Sequence, residues 1–237
     1  MQIRAEKSEL WPTPTLTVIL EDSKHFNARL AQIILQEEKR ILSRSKPTQV
    51  AGIKEGLTAH WLTFNVLNWE YPEIVEFRTI ILSGFRQWLS SFRDPDAPGM
   101  QISGISCWAN VLRHGGSLTV HHHDPAFVSA HYTVQAGSEY EAGSESSDSG
   151  HTVYFRPGFL DRSHGGEASM TPSPWDDGWR IDKAPVEGRI FFFPSFVRHE
   201  VRPYFGATQR ISIAMDVFLK CQTLPIYFGG SRWFVPK

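Results

Sequence analysis

The pattern of hydrophobic and polar positions changes near residue 100. Before it, apolar residues recur three or four positions apart in two charged segments, which predicts two amphipathic helices, from Phe26 to Ile41 and from Pro72 to Phe92. A short apolar run at 15–20 predicts one strand. Beyond residue 100, alternating or β-branched runs predict strands at 105–112, 117–124, 127–134, 152–155, 189–193, 197–204 and 209–219.

Helices followed by many short strands predict an α+β fold, mainly β, in which a sandwich or small barrel is backed by helices on one side. We expect a single domain over 1–237, with a helical support region at 1–100, a β core at 101–220 and a C-terminal extension at 221–237. Gly-, Ser- and Pro-containing segments at 136–150 and 157–185 are expected to be loop insertions, the second a candidate lid.

Composition excludes several classes of protein. The chain has 24 Lys and Arg against 25 Asp and Glu, without the basic stripe that a nucleic-acid partner requires. It contains no apolar run of about 18 residues and does not start like a secretory signal, so we expect a cytoplasmic protein without a membrane segment. Cys107 and Cys221 lack a ligand spacing and are expected to be buried, reduced thiols.

The residues most capable of chemistry are the run 121–124, His-His-His-Asp, and the distant His199. Two imidazoles and one carboxylate can hold one face of a non-haem Fe(II) ion and leave the other face open. His199 shares the apolar side of its strand with Val197 and Val201. This spacing therefore predicts a metal-dependent enzyme.

Strand alternation gives two alternatives for the ligands within this run, because neighbouring side chains face opposite sides of a sheet. His122 and Asp124 share a side with the apolar Val120, which favours them as the inward pair. The alternative pair is His121 with His123.

A second polar pair follows at Arg210 and Ser212, which project to the same side because Ile211 separates them. A guanidinium fork with an adjacent hydroxyl is well suited to binding a carboxylate. The opposite face of this strand is apolar, so Arg210 and Ser212 must line either solvent or a polar cavity.

The order H-x-D, distant His and R-x-S resembles the Fe(II)/2-oxoglutarate-dependent dioxygenases. More narrowly, the chain is similar to a family of bacterial 2-oxoglutarate/Fe(II) oxygenases in its segments 108–110, 122–125, 129–132, 188–195, 199–204 and 210–213. It departs from that family in two respects. Relatives often carry H-x-H at the H-x-D position, and the loops between Gly137 and Glu187 look longer here.

The resemblance implies a double-stranded β-helix, a cupin-like jelly-roll, with the N-terminal helices packed on the larger sheet. It also implies three cofactors and cosubstrates, namely Fe(II), 2-oxoglutarate and O2. The implied iron ligands are His122, Asp124 and His199. Arg210 with Ser212 would anchor the distal carboxylate of 2-oxoglutarate, Asn110 and Tyr132 are further cofactor-binding candidates, and His131 and Arg113 are secondary candidates for the pocket.

The reaction implied by this resemblance is hydroxylation of an unactivated C–H of a small molecule, such as an amino acid or biosynthetic intermediate, with release of succinate and CO2. Alternatives are a desaturase or cyclase on a similar substrate, a non-catalytic cupin-like metal-binding module, and an interaction protein with an incidental histidine run. The metal-binding module would not need Arg210 and Ser212. We expect a small-molecule partner and leave a homodimer open.

Overall fold

The computed structural model describes residues 13–47, 56–91, 100–137, 148–157, 180–220, 234 and 236. Two long helices are present, and the short 3-10 helices Leu57–His60 and Val66–Asn68 lie between them. The helices are α1 (Lys24–Leu42) and α2 (Pro72–Ser90), and the strands are β1 (Leu16–Ile19), β2 (Ile102–Leu112), β3 (Leu118–His121), β4 (Val128–Gln135), β5 (Thr152–Phe155), β6 (Arg180–Lys183), β7 (Arg189–Pro194), β8 (His199–Val201) and β9 (Arg210–Leu219).

The strands form two antiparallel sheets that face each other. The larger sheet has the order β1-β7-β4-β9-β2, and the smaller sheet has the order β3-β8-β5-β6. Asn110 and Arg210 from the larger sheet line the same cavity as His121 and His199 from the smaller one. The two sheets therefore enclose a site between them, and the predicted double-stranded β-helix is confirmed.

The larger sheet separates an apolar core from this cavity by strand alternation. On β9, Ile211, Ile213 and Met215 are fully buried in the core that the helices cover. Their neighbours Arg210 and Ser212 face the cavity instead. The N-terminal helices pack on the outer face of this sheet, as predicted, because that face carries the continuous apolar surface.

Some boundaries differ from the sequence-based expectation. β6 lies within 157–185, which was predicted as a loop, and the prediction missed it because three of its four residues are exposed and no apolar run marks it. β3 ends at His121 and β8 covers only His199–Val201, so both strands are shorter than predicted. The remaining parts of the two expected insertions (138–147 and 158–179) and most of the expected C-terminal extension (221–233) lie outside the described residues, and the domain boundaries stay a prediction.

Within the described residues, neither long helix has the combined length and apolar character of a membrane span.

Gly84 lies where α2 packs tightly against the larger sheet. A Cβ built on Gly84 would lie 2.8 Å from Cε2 and Cζ of Phe192, whose side chain is fully buried in β7. Glycine costs a helix interior about 1 kcal/mol relative to alanine. The close contact with Phe192 explains why the helix carries glycine at this position.

We therefore expect Gly84→Ala to destabilise the fold by about 1–2 kcal/mol, because the cost of overpacking exceeds the gain in helix propensity. Urea unfolding measures this change. Ser83→Ala on the exposed face of α2 is the matched control and should be neutral or slightly stabilising. Stabilisation by Gly84→Ala would show that α2 can move away from Phe192 at little cost.

Candidate metal centre

Three imidazoles converge between the sheets. His121 ends β3, His123 follows it in the next turn, and His199 begins β8. One nitrogen from each ring lies within 4.8 Å of the others, and the Nε2 atoms of His123 and His199 are 3.3 Å apart. Within the described residues this is the only group of three or more His, Cys, Asp or Glu side chains with metal-ligand spacing.

Each imidazole is oriented by an oxygen atom next to its Nδ1. The Nδ1 of His121 lies 2.6 Å from the carbonyl oxygen of Thr119, and that of His199 lies 3.1 Å from the carbonyl oxygen of Val197. The Nδ1 of His123 lies 3.2 Å from Oδ2 of Asp216. A proton held on Nδ1 by such an acceptor leaves Nε2 with a free lone pair, which is the usual arrangement around a metal-binding histidine.

Burial favours the neutral form of His121 and His199. Loss of solvation lowers the pKa of His199 well below its ordinary value, and the neighbouring His121 and His123 lower it further. The pKa of His121 is also lowered, first by burial and then by His123. Neutral imidazoles are the form that binds a metal ion.

The structure does not bring the ligand pair favoured from the sequence into this cluster. His122 and Asp124 point to the outside, with side chains 46% and 54% exposed, and they pair with each other at 3.3 Å. Neither lines the cavity that His199 shares with His121 and His123. Of the three predicted ligands, only His199 lies in the cluster, and the alternative pair His121 and His123 accompanies it.

A bulge in β3 is the physical reason for this difference. Leu118 pairs with Val201 and His121 pairs with His199, so three steps along β3 match two along β8. The additional residue reverses the alternation, which brings Leu118 and His121 to the same side and leaves Val120 49% exposed. The expected role of Val120 as a marker of the inward face was therefore wrong.

Arg210 lies across the same cavity as a buried, uncompensated cation. Its side chain is only 2% exposed, its Nε has no hydrogen-bond partner, and its Nη2 reaches Thr152 Oγ1 at 3.4 Å. No ion pair of Arg210 is found among the described residues. Burial lowers the pKa of Arg210 to about 10, so the guanidinium remains charged near neutral pH.

The other predicted cofactor residues divide between the two faces of the sheet. Ser212 and Asn110 line the cavity, and the buried Oδ1 of Asn110 has no partner. Tyr132 does not line it, which corrects the expectation for this residue. Its hydroxyl donates to Oδ1 of Asn27 in α1, and its ring packs 5.3 Å from that of Phe77.

His131 faces the cavity in place of Tyr132, because the two residues are neighbours on β4. Its ring lies against Tyr154 and Phe191, with its Nδ1 3.1 Å from the Tyr154 hydroxyl. Burial, together with the nearby charge of Arg210, lowers the pKa of His131 to about 3. Arg113 does not reach the site, since it forms a bidentate ion pair with Glu38.

Two larger spaces adjoin this central cavity. A recess of about 280 Å³ shares His131, Thr152 and Arg210 with it, and a pocket of about 240 Å³ shares Asn110, His121 and His123 with it. The imidazole cluster therefore has accessible space on two sides.

Of the candidate lid at 157–185, only residue 157 and residues 180–185 lie within the described part of the chain. Arg180 opens β6, is exposed, and pairs with Asp182 at 3.5 Å.

Comparison with known proteins gives one family match. The model of the family described as "Putative 2OG-Fe(II) oxygenase" matches residues 106–216, from the middle of β2 to β9. The comparison with curated proteins gives no match.

Similar solved structures share the fold at low sequence identity. A prolyl-4-hydroxylase from Pseudomonas putida has a TM-score of 0.55 and 15% identity, covering 88% of this chain and 94% of that one. The non-haem α-ketoglutarate-dependent carbocyclase SnoK from nogalamycin biosynthesis has a TM-score of 0.50 and 13% identity, covering 86% and 79%.

The fold and the family match define an oxidoreductase of the 2-oxoglutarate/Fe(II)-dependent dioxygenase class. The family model covers 111 of the 237 residues, from 106 to 216. This match implies Fe(II), 2-oxoglutarate and O2 as the cofactor and cosubstrates. The donor set agrees with this, because imidazole nitrogens suit iron and a buried guanidinium suits a carboxylate.

The placement of Tyr132 predicts a structural role for its hydroxyl. Tyr132→Phe should leave Oδ1 of Asn27 buried without a donor and lower the free energy of unfolding by about 1–3 kcal/mol. Urea unfolding measures this loss, and calorimetry should show unchanged affinity for 2-oxoglutarate. Unchanged stability together with weaker 2-oxoglutarate binding would instead support a role for Tyr132 in binding 2-oxoglutarate.

Proposed function

We propose that this protein hydroxylates an unactivated C–H of a small molecule, with 2-oxoglutarate converted to succinate and CO2. Bound iron, with 2-oxoglutarate and O2, supplies the oxidising chemistry. The observation that supports the proposal most directly is a cluster of three imidazole nitrogens within 4.8 Å of one another, across one cavity from a buried guanidinium with no ion pair among the described residues.

The proposed iron ligands are His121, His123 and His199. One nitrogen from each ring is close enough to the others to share one ion, and the Nδ1 contacts of His121 and His199 hold those two rings in their orientation. Asp216 is the proposed positioning residue for His123. Its Oδ1 accepts from Ser129 Oγ at 2.6 Å, so the carboxylate behind His123 is itself held in place.

Arg210 with Ser212 is the proposed anchor for the distal carboxylate of 2-oxoglutarate. A buried charge without a partner is costly, and a carboxylate accepting two hydrogen bonds from its fork would offset that cost. Ser212 is buried beside it on the same face of β9 and can donate a third hydrogen bond. Lys183 and Arg189 line the adjoining recess and would attract the dianion to this end.

A non-catalytic metal-binding module would need the imidazoles but not this anchor. A buried guanidinium without an anionic partner is costly, and an anion bound at Arg210 would offset that cost. Analysis of the product separates hydroxylation, which adds one oxygen atom to the substrate, from desaturation or ring formation, which removes two hydrogen atoms.

Metal binding should depend on three histidines and not on their neighbours. We expect His121→Ala, His123→Ala and His199→Ala each to abolish the visible charge-transfer band that forms when Fe(II) and 2-oxoglutarate are added anaerobically. His122→Ala and Asp124→Ala are the matched controls, since these side chains point outward, and both should retain the band. Loss of the band in Asp124→Ala alone would instead support the H-x-D ligand pair.

Cosubstrate binding should depend on Arg210 separately from metal binding. Arg210→Met removes the buried charge and should weaken 2-oxoglutarate binding by at least about thirtyfold, whereas Ser212→Ala removes one hydrogen bond to a charged group and should weaken it by about tenfold. Calorimetry on the Fe(II)-loaded protein under anaerobic conditions measures both changes. Fe(II) affinity measured without 2-oxoglutarate should not change. Wild-type affinity for 2-oxoglutarate in Arg210→Met would exclude the proposed anchor.

A further inference from the structure

We propose that the pocket of about 240 Å³ beside the imidazole cluster takes a small substrate that carries a cationic nitrogen on an apolar or aromatic body. This inference rests on the proposed function, since it treats the pocket as the substrate's place next to the metal. Four features of the pocket support it: its aromatic wall, its acidic mouth, an unsatisfied amide oxygen, and its contrast with the recess beyond Arg210.

The wall of the pocket is aromatic. The rings of Trp61 and Trp108 lie with their centroids 5.4 Å apart and tilted by 53°, and Phe218 also lines the pocket. Tryptophan presents the best ring face for a cation, and the attraction increases when the cation is desolvated. The same rings provide apolar area for the uncharged part of a ligand.

The charges along the pocket are negative. Asp124 and Asp216 line it, and none of its described lining residues is Lys or Arg. The Asp216 carboxylate already holds His123 and Ser129. The half-exposed carboxylate of Asp124 lies 3.4 Å from Ser195 Oγ and 3.3 Å from His122 Nδ1, and it can still accept from a ligand at the mouth.

Asn110 provides the interior polar contact. Asn110 is only 3% exposed, it lines the pocket, and its Oδ1 has no hydrogen-bond partner. A buried acceptor without a donor is costly, and an ammonium or guanidinium N–H would remove that cost. An anionic or ether-like ligand group would leave the oxygen unsatisfied.

The opposite end of the site has the opposite charge. The recess there is lined by Arg210, Lys183 and Arg189 with only Asp182 as a negative residue, while the pocket near His121 has only carboxylates. Such a charge difference directs an anionic cosubstrate and a cationic substrate to different sides of the metal. The pocket volume is below the usual range for drug-sized ligands, so a small amine fits better than a large one.

The test compares three ligands of similar size, benzylamine, benzyl alcohol and benzoate, which carry a cationic, a neutral and an anionic group. Calorimetry is carried out on the full chain loaded with Fe(II) and 2-oxoglutarate without oxygen, after the visible band has been recorded. We expect benzylamine to bind about tenfold more tightly than benzyl alcohol, and benzoate to bind most weakly.

Asp124→Asn keeps the shape of the residue and removes its charge, and it should reduce the preference for benzylamine severalfold while the visible band is retained. Glu76→Gln removes a carboxylate from the exposed face of α2 and is the charge-matched control, which should leave the preference unchanged. Trp61→Leu should weaken the binding of benzylamine severalfold and that of benzyl alcohol less, because the aromatic ring face that attracts the cation is lost.

The outcomes separate the two proposals. If the band forms but benzoate binds as well as benzylamine, or if Asp124→Asn leaves the preference intact, the cationic substrate is excluded and the proposed function stands. If the band does not form in wild-type protein, the proposed function fails and this inference fails with it. A preference for benzylamine that depends on Asp124, together with the band, supports both.

Discussion

The pairing of His121 with His199 across β3 and β8 is the contact on which the site depends. It joins two short strands of the smaller sheet directly at the cavity, and His123 is then brought in by the turn that follows β3. The backbone N–H of His123 donates to the carbonyl oxygen of Ser195, which fixes that turn next to the end of β7. The three rings therefore meet because two separate backbone contacts hold their segments together.

The larger sheet separates the apolar core from the polar cavity. The separation is a single layer of backbone, with apolar side chains on one face and polar side chains on the other. Its helix-facing side chains are almost all fully buried and hydrocarbon-rich. Its cavity-facing positions carry the Arg210 guanidinium, the Asp216 carboxylate and the Asn110 amide. Rigid central strands are suitable for this purpose, because a small displacement of a buried charge or ligand-orienting group is energetically costly.

Much of this arrangement could be predicted from the sequence. The two helices follow from long segments with a clear 3.6-residue period, and the side of β9 that carries Arg210 follows from an uninterrupted alternation. The proposed ligands His121 and His123 could not be obtained in the same way, because one additional residue in the four-residue strand β3 reverses the alternation without any sequence signal. The H-x-H pattern of the resembling family was the available indication for His121 and His123.

Tyr132 shows a second limit of sequence reasoning. Its assignment to the cofactor came from resemblance, whereas alternation along β4 places its neighbour His131 in the cavity and Tyr132 beside Val128 and Ala130 in the core. Asp216 was recognisable only as a polar residue on the cavity side of its strand. Its role behind His123 depends on a contact across 93 positions of the chain, which no local pattern encodes.

The isolation of Arg210 has a consequence for the protein as a whole. A guanidinium held in the interior without a counter-charge reduces the stability of the unliganded state, and any anion that binds only the folded chain adds to its stability according to its concentration relative to its dissociation constant. If 2-oxoglutarate is that anion, the folded population and its resistance to proteolysis rise and fall with the supply of this metabolite.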